Sequence, residues 1–365
     1  MKQTQKKRRV SNDTWGALTE LHSTITQKYK VVGSSMAIMK DVKLTLEHHT
    51  GYADKATKRK TDSNTIYHWA SVTKTFTGIA IMQLRDQKKL KLSDPIVNYV
   101  PELKKMNNPY GKIEDITIWH LLTHSAGFRD NTWPHQEYKA GDWQELMSRR
   151  KGFRILFKPG SKHSYSNLGI NFLAPVIEQL SGLRYEKYIQ KNIFDPLGMT
   201  HSYFNITPKN LLKYRSNNYS IDDGKLITNG LDFTTGVTTA NGGLNAPCTD
   251  MVKYMDFLCN GHTILKRSSL EEMWQPLFLV EKTADLTEKI GIAFFVINRK
   301  KHIFIGHEGS QYGFRCFMYI DPKNKSGVVV NLNTAGEHGR PYTRKGLHEA
   351  RKAVLDFIAL KHEKS

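Results

Sequence analysis

Tyr67-His68-Trp69-Ala70-Ser71-Val72-Thr73-Lys74-Thr75-Phe76-Thr77-Gly78-Ile79-Ala80-Ile81-Met82-Gln83-Leu84 is the stretch on which the reading of this chain turns. Apolar residues at 76, 79, 80 and 84 recur at helical spacing. They predict a buried amphipathic helix that starts near Ser71 and ends near Gln87-Lys88-Lys89. Ser71 and Lys74, three apart, share one face of it. A serine hydroxyl is a poor nucleophile until a base takes its proton. A lysine can be that base only if burial or its neighbours lower its pKa, and this helix is apolar around it. The first backbone N–H groups of a helix are unpaired, and the dipole there favours developing negative charge. A serine on the first turn thus has a base one turn on and anion-stabilising donors beside it. Taken alone, S-x-x-K is also what an ordinary N-cap serine and an unrelated lysine would give, so the rest of the chain has to decide.

The 365 residues, 39% of them hydrophobic, suffice for a large core. Lys and Arg number 54 against 34 acidic residues, a formal charge of +20. The excess is spread over Lys55 to Lys60, Arg299 to Lys301 and the C-terminal segment, with no RNA-binding motif and no zinc-finger spacing. A diffusely basic surface implies loose attraction to anions, not a specific nucleic-acid site. Cys248, Cys259 and Cys316 are odd in number and far apart, as free structural thiols in a reducing compartment would be. Lys6-Lys7-Arg8-Arg9 is followed by no apolar h-region. No run approaches the ~18 apolar residues of a membrane helix. The expectation is a cytoplasmic protein with no membrane span; the oligomeric state stays open.

Two early strands are predicted, Val31 to Met39 and Val42 to His48, with Lys40-Asp41 at their turn and a basic loop at Lys55 to Asn64. Helical patterns follow at Ile116 to Leu122, Asn171 to Leu180 and Tyr185 to Ile193, and a further helix at Thr249 to Leu258. Strands then dominate: Ile290 to Ile297, His302 to Ile305, Gly313 to Ile320 and Gly327 to Leu332, the last two joined by a turn at Lys323-Asn324-Lys325. Residues 341–361 read as a long basic helix. The fold class expected is α/β of the α+β kind: one antiparallel sheet flanked by N- and C-terminal helices, with an inserted mostly helical region. Residues 1–13 are expected to be a disordered basic tail and 14–365 one domain. Its α/β part covers about 14–90 and 226–365, and the insertion about 91–225.

Two further constellations carry chemistry. Pro159-Gly160 makes a turn that leads to Tyr165-Ser166-Asn167, in a loop before a helix. Beside a lysine ammonium a phenol loses its proton more easily and can act as base or relay; Asn167 could hold Lys74 and a substrate amide together. Gly306-His307-Glu308-Gly309-Ser310 falls at the end of a strand pattern. Its glycines would let a substrate lie against the strand edge, where a backbone N–H could complete an oxyanion hole. His120 and His124 are four apart, as in zinc proteases, but Leu121 stands where the base glutamate would be, so packing or hydrogen bonding is the better reading and no metal is implied. No phosphate-binding glycine loop is present, and no cofactor is expected.

With these stretches in chain order, the sequence resembles the serine β-lactamase and penicillin-binding protein superfamily. More narrowly it resembles the class C β-lactamase-like serine hydrolases, in their esterase and D-peptidase branch. The resemblance runs from about Val31 to Asn333. It is carried by Ala70-Ser71-Val72-Thr73-Lys74, Leu121 to Phe128, Pro159-Gly160 with Tyr165-Ser166-Asn167, Pro196-Leu197-Gly198-Met199, Gly242-Gly243-Leu244 and His307-Glu308-Gly309. It implies a β-lactamase/transpeptidase-like catalytic domain in which Ser71 is acylated, Lys74 is its partner and Tyr165 is the general base. It implies further that Asn167 orients Lys74 and binds substrate, that His307 and Gly309 border the substrate, and that the N–H groups of Ser71 and Ser310 form the oxyanion hole.

In one respect the chain departs from the lactamases proper, which carry Lys-Thr-Gly where this chain has His307-Glu308-Gly309. A lysine is a permanent cation for a substrate carboxylate; a histidine is mostly neutral at pH 7, and Glu308 is expected to add negative charge beside it. The implied substrate is a small ester or amide. Alternatives are a D-stereospecific peptidase or carboxypeptidase, a weak β-lactamase, or a catalytically silent scaffold of the same fold. The absent leader argues against a cell-wall role. Arg340 and Arg344, in the loop before the C-terminal helix, are either surface charges or a replacement carboxylate-binding cation.

Overall fold

The computed structural model of the protein describes residues 4–129, 143–148, 153–261, 263–336 and 347–356, with side chains from residue 15. Three strands come early: β1 (Gly33–Lys40), β2 (Lys43–Asp54) and β3 (Arg59–Lys60). Five short ones follow, β4 (Ile66–His68), β5 (Tyr203–Phe204), β6 (Asn218–Asp222), β7 (Lys225–Gly230) and β8 (Leu244–Pro247). The last seven are β9 (Phe278–Lys282), β10 (Leu286–Ile290), β11 (Phe295–Arg299), β12 (His302–Gln311), β13 (Phe314–Asp321), β14 (Ser326–Leu332) and β15 (Thr334–Gly336). Nine of them form the main sheet in the order β3-β2-β1-β14-β13-β12-β11-β10-β9. Its pairings are antiparallel, and early and late segments meet where Ser34 lies opposite Leu332 and Lys40 opposite Ser326.

Successive side chains of a strand point to opposite faces, and both faces here are covered. Met36, Ile38, Val328, Val330, Phe317 and Tyr319 pack against Leu18 and Ile25 of helix α1 (Thr4–Lys28) and against Leu347, Val354 and Leu355 of the helix at 347–356. Ala37, Met39, Val329, Met318 and Ile320 belong to a second core on the other face, which also holds Phe76, Ile79 and Ile81 of helix α2 (Thr73–Asp86). Burying each large aliphatic side chain stabilises by roughly 1.5–3 kcal/mol. The sheet is therefore clamped between two apolar layers, and α2 lies in one of them.

Helix α2 is buried from Thr73 to Leu84, so the expected one-sided amphipathic helix is in fact enclosed on all sides. Its threonines are tolerated because their hydroxyls find main-chain acceptors. Thr73 donates to Ala70 O (2.6 Å), Thr75 to Val72 O (2.8 Å) and Thr77 to Ala240 O (2.6 Å).

Several elements differ from the sequence reading. α1 begins at Thr4, so residues 4–13, expected as a tail, are helical. The single strand expected at Ile290 to Ile297 is two, β10 and β11, turned back on each other by a Gly291 N–H to Phe294 O bond of 2.8 Å. β12 runs on to Gln311, so His307 to Ser310 lie inside a strand and not past its end. The hairpin β6–β7 crosses the expected end of the helical insertion at 225. Cys248, Cys259 and Cys316 are buried free thiols. No described helix is long and apolar enough to cross a membrane.

Candidate active site

Main-chain pairing places the Ser71 turn. β4 pairs with β8, and just beyond it Trp69 N–H donates to Leu244 O at 2.8 Å while its indole donates to Ala246 O at 2.9 Å. The chain then turns sharply: Ala70 has φ +44°, and a 3₁₀ turn over Ala70–Val72 runs into α2. A left-handed non-glycine residue is strained, and such strain persists only where surrounding contacts over-determine it. The turn leaves Ser71 half-buried and points the wholly buried Lys74 back beneath it.

Lys74 Nζ lies 3.0 Å from Ser71 Oγ and donates to Asn241 O at 2.8 Å. A buried amine needs fixed acceptors, and Asn241 is itself anchored by donating to Asn171 Oδ1 at 2.7 Å. Lys74 Nζ stands 5.1 Å from the centroid of the Tyr165 ring. The loop that carries Tyr165 is tied to the segment after the helix Ile118–Leu122: Gly160 N–H donates to Ser125 O and Ser164 N–H to His124 O, both at 2.8 Å. Ser166 then caps the helix Asn167–Asn171 by accepting Gly169 N–H at 3.0 Å, which puts Asn167 at its first position, half-buried. Tyr165 stacks on His124 (centroids 4.3 Å apart) and lies parallel to Phe295 (6.4 Å), with His307 at 6.1 Å.

The third wall is β12. Its partner β11 reaches only to Phe295, opposite Gly306. From His307 onward β12 keeps β13 on one side, and the residues before Ser71 pack directly over Gly309. Gly309 makes this possible: a Cβ there would lie 2.4 Å from Trp69 O, 2.5 Å from Cys316 Sγ and 3.2 Å from Ala70 Cβ. Gly309→Ala should therefore push the strand off the Ser71 turn. The expected result is a kcat/KM loss of about 10²-fold, the scale of a 1 Å misplacement, with roughly 1–3 kcal/mol of destabilisation from overpacking. Denaturant melts and steady-state rates check it; an alanine variant with normal activity removes Gly309 from the site. Ser310, next along, is exposed.

Strand alternation separates His307 from Glu308. The His307 ring lies 4.7 Å from that of Phe295 on the side of Tyr165. Its Nδ1 donates to Glu308 O at 2.6 Å. Burial first, then the Lys74 charge, lowers its pKa to about 3, so the ring is neutral. Glu308 points the other way, to the guanidinium of Arg351 and to His348 on the helix at 347–356. The expected negative charge beside His307 is thus on the far side of the sheet, neutralised by Arg351.

The structure brings Ser71, Lys74, Tyr165, His307 and Gly309 near one another, while Arg340 and Arg344 lie outside the described residues. Three contributors were not singled out. Phe295 gives no motif, being one apolar residue of a strand. Asn241 acts through its carbonyl, which any residue has. His124 was weighed only with His120; it lies past the end of the helix Ile118–Leu122, and the two bond different segments, Ser166 and Thr117.

Residues 18–352 match the family described as Beta-lactamase. Protein flp of Staphylococcus aureus is 27% identical over 335 residues, covering 90% of this chain; this chain spans 65% of that relative's length. Among solved structures, the octameric penicillin-binding protein homologue from Pyrococcus abyssi superposes with a TM-score of 0.80 at 27% identity, over 93% of this chain and 77% of that one. The D-amino acid amidase from Ochrobactrum anthropi superposes with a TM-score of 0.81 at 24% identity, over 97% and 100%, which speaks to the fold. A match over nearly the whole chain, on a fold shared with both structures, makes this protein a member of the Beta-lactamase family.

Proposed function

We propose that the protein is a serine hydrolase that cleaves a small ester or amide through an acyl-enzyme on Ser71. The observation that carries this reading is the buried Lys74 amine 3.0 Å from Ser71 Oγ, on the first turn of a helix. Ser71 Oγ attacks the substrate carbonyl carbon, and its proton passes to the Lys74–Tyr165 pair. The carbonyl oxygen takes the developing charge against the Ser71 and Ser310 N–H groups. The leaving group departs with the proton, and water, deprotonated by the same pair, then releases the acid. Asn167 orients substrate at the mouth. Labelling with a fluorophosphonate or penicillin probe tests the proposal: modification of Ser71 that disappears in Ser71→Ala supports it, and no labelling by either probe leaves a silent scaffold.

The neutral His307 favours ester and amide over β-lactam. A lactam carboxylate needs a fixed cation, and this imidazole offers none. kcat/KM on a short-chain nitrophenyl ester should exceed that on nitrocefin by a wide margin, and an enzyme preferring nitrocefin sinks the preference. His307→Lys should improve carboxylate-bearing substrates selectively; Glu308, held by Arg351 behind the sheet, is not placed to cancel the gain.

A further inference from the structure

His124 carries two costs. Its backbone is left-handed, with φ +52°, a conformation in which asparagine is better tolerated than most residues with a side chain. Its Nδ1 accepts the Ser166 N–H at 3.1 Å, which leaves the ring proton on Nε2. That Nε2 is buried with no hydrogen-bond partner among the described residues. An orphaned buried donor destabilises the fold. Asparagine would suit the backbone and would accept from Ser166 with its Oδ1, its amide N–H groups taking the place of the Nε2–H as buried donors.

What asparagine cannot supply is the ring. The imidazole stacks on Tyr165 with centroids 4.3 Å apart and planes 30° from parallel, and its outer edge meets His163 at 6.0 Å. Burial, then the charge of Lys74 and the neighbouring His163 and His307, hold its pKa well below the ordinary histidine value. The face it presents to Tyr165 is therefore uncharged.

We propose that His124 is a positioning residue for Tyr165: its ring is a flat, neutral wall that holds the phenol over Lys74 without adding a second cation to the site. The proposal rests on the reading of Tyr165 as the proton carrier. Loose placement of such a group costs rate and not binding.

Two variants separate this role from a purely structural one. His124→Asn keeps the acceptor for Ser166 and loses the ring; assayed well below its melting temperature, it should lose about 10- to 10²-fold in kcat, with KM little changed. His124→Phe keeps a ring and strands the Ser166 N–H; whatever its melting temperature, it should retain more kcat than the asparagine variant. A purely structural role predicts that both variants, assayed while fully folded, keep the wild-type kcat. The carbon-13 resonance of the Tyr165 ring, identified by its loss in Tyr165→Phe, reads the phenol without any substrate. Its position and titration should shift in His124→Asn and shift less in His124→Phe. An asparagine variant with unchanged kcat and resonance, or one that fails to fold, overturns the proposal. Should wild type resist the fluorophosphonate, the hydrolase reading falls separately and the resonance still decides for or against His124.

Discussion

Ser71→Ala is expected to lower kcat by at least about 10⁴-fold and to leave the melting temperature close to that of wild type. Removing a covalent nucleophile typically costs several orders of magnitude, the residue of activity coming from binding and the oxyanion donors. The fold is spared because the hydroxyl is half-exposed and its contact is with Lys74, which keeps Asn241 O as acceptor. The surrounding turn is held by main-chain bonds from Trp69 and by the Thr73 hydroxyl, none of which involves the Ser71 side chain. Steady-state rates on the best nitrophenyl ester, together with a thermal melt, decide the matter; near-full turnover in the alanine variant ends the nucleophile assignment.

Tyr165→Phe is expected to lower kcat by ~10²–10⁴, the usual contribution of a general base. The substitution removes one oxygen and keeps the ring, so the stacks on His124 and Phe295 and the contact with Lys74 survive. KM and the melting temperature should therefore hardly move. A variant whose kcat is unchanged, or whose deficit is wholly thermal, makes Tyr165 a packing residue. Because the stack survives in phenylalanine and is lost in His124→Asn, the two variants read different parts of one device: the oxygen and its support.

The sequence was legible where a residue's chemistry is in its side chain and its spacing is local. Ser71 and Lys74 lie one turn apart in the sequence and meet in the structure, and the two early strands and the late ones near 313–320 and 327–332 fall where their apolar runs predict. It was opaque in three other situations. Asn241 contributes a main-chain oxygen, and no periodicity marks which carbonyl a distant lysine will find. The face on which Glu308 falls depends on β12 continuing through His307 to Gln311; ending the strand early removes the alternation that sends one side chain to the site and the next to Arg351. α2 reads as amphipathic because its threonines count as polar, whereas each finds a main-chain acceptor and is buried with the rest. The break between β10 and β11 was hidden for a similar reason: residues 290–297 are mostly apolar, and Gly291 alone hints at the reversal.

The pairing of Ser34 with Leu332 has a consequence for biosynthesis. At about 5–20 residues per second, β1 leaves the ribosome roughly 15–60 s before the strand that will cover its open edge. For that interval β1 and β2 are a hairpin with one unsealed, strongly apolar margin, and the helix bearing Ser71 has no sheet to lie on. Closing so long a loop costs only logarithmically more than closing a short one, but pairings this distant in sequence are slow to find. The sheet behind the Ser71 turn is therefore completed late, and until then the nascent chain presents a strand edge of the kind that pairs with other chains.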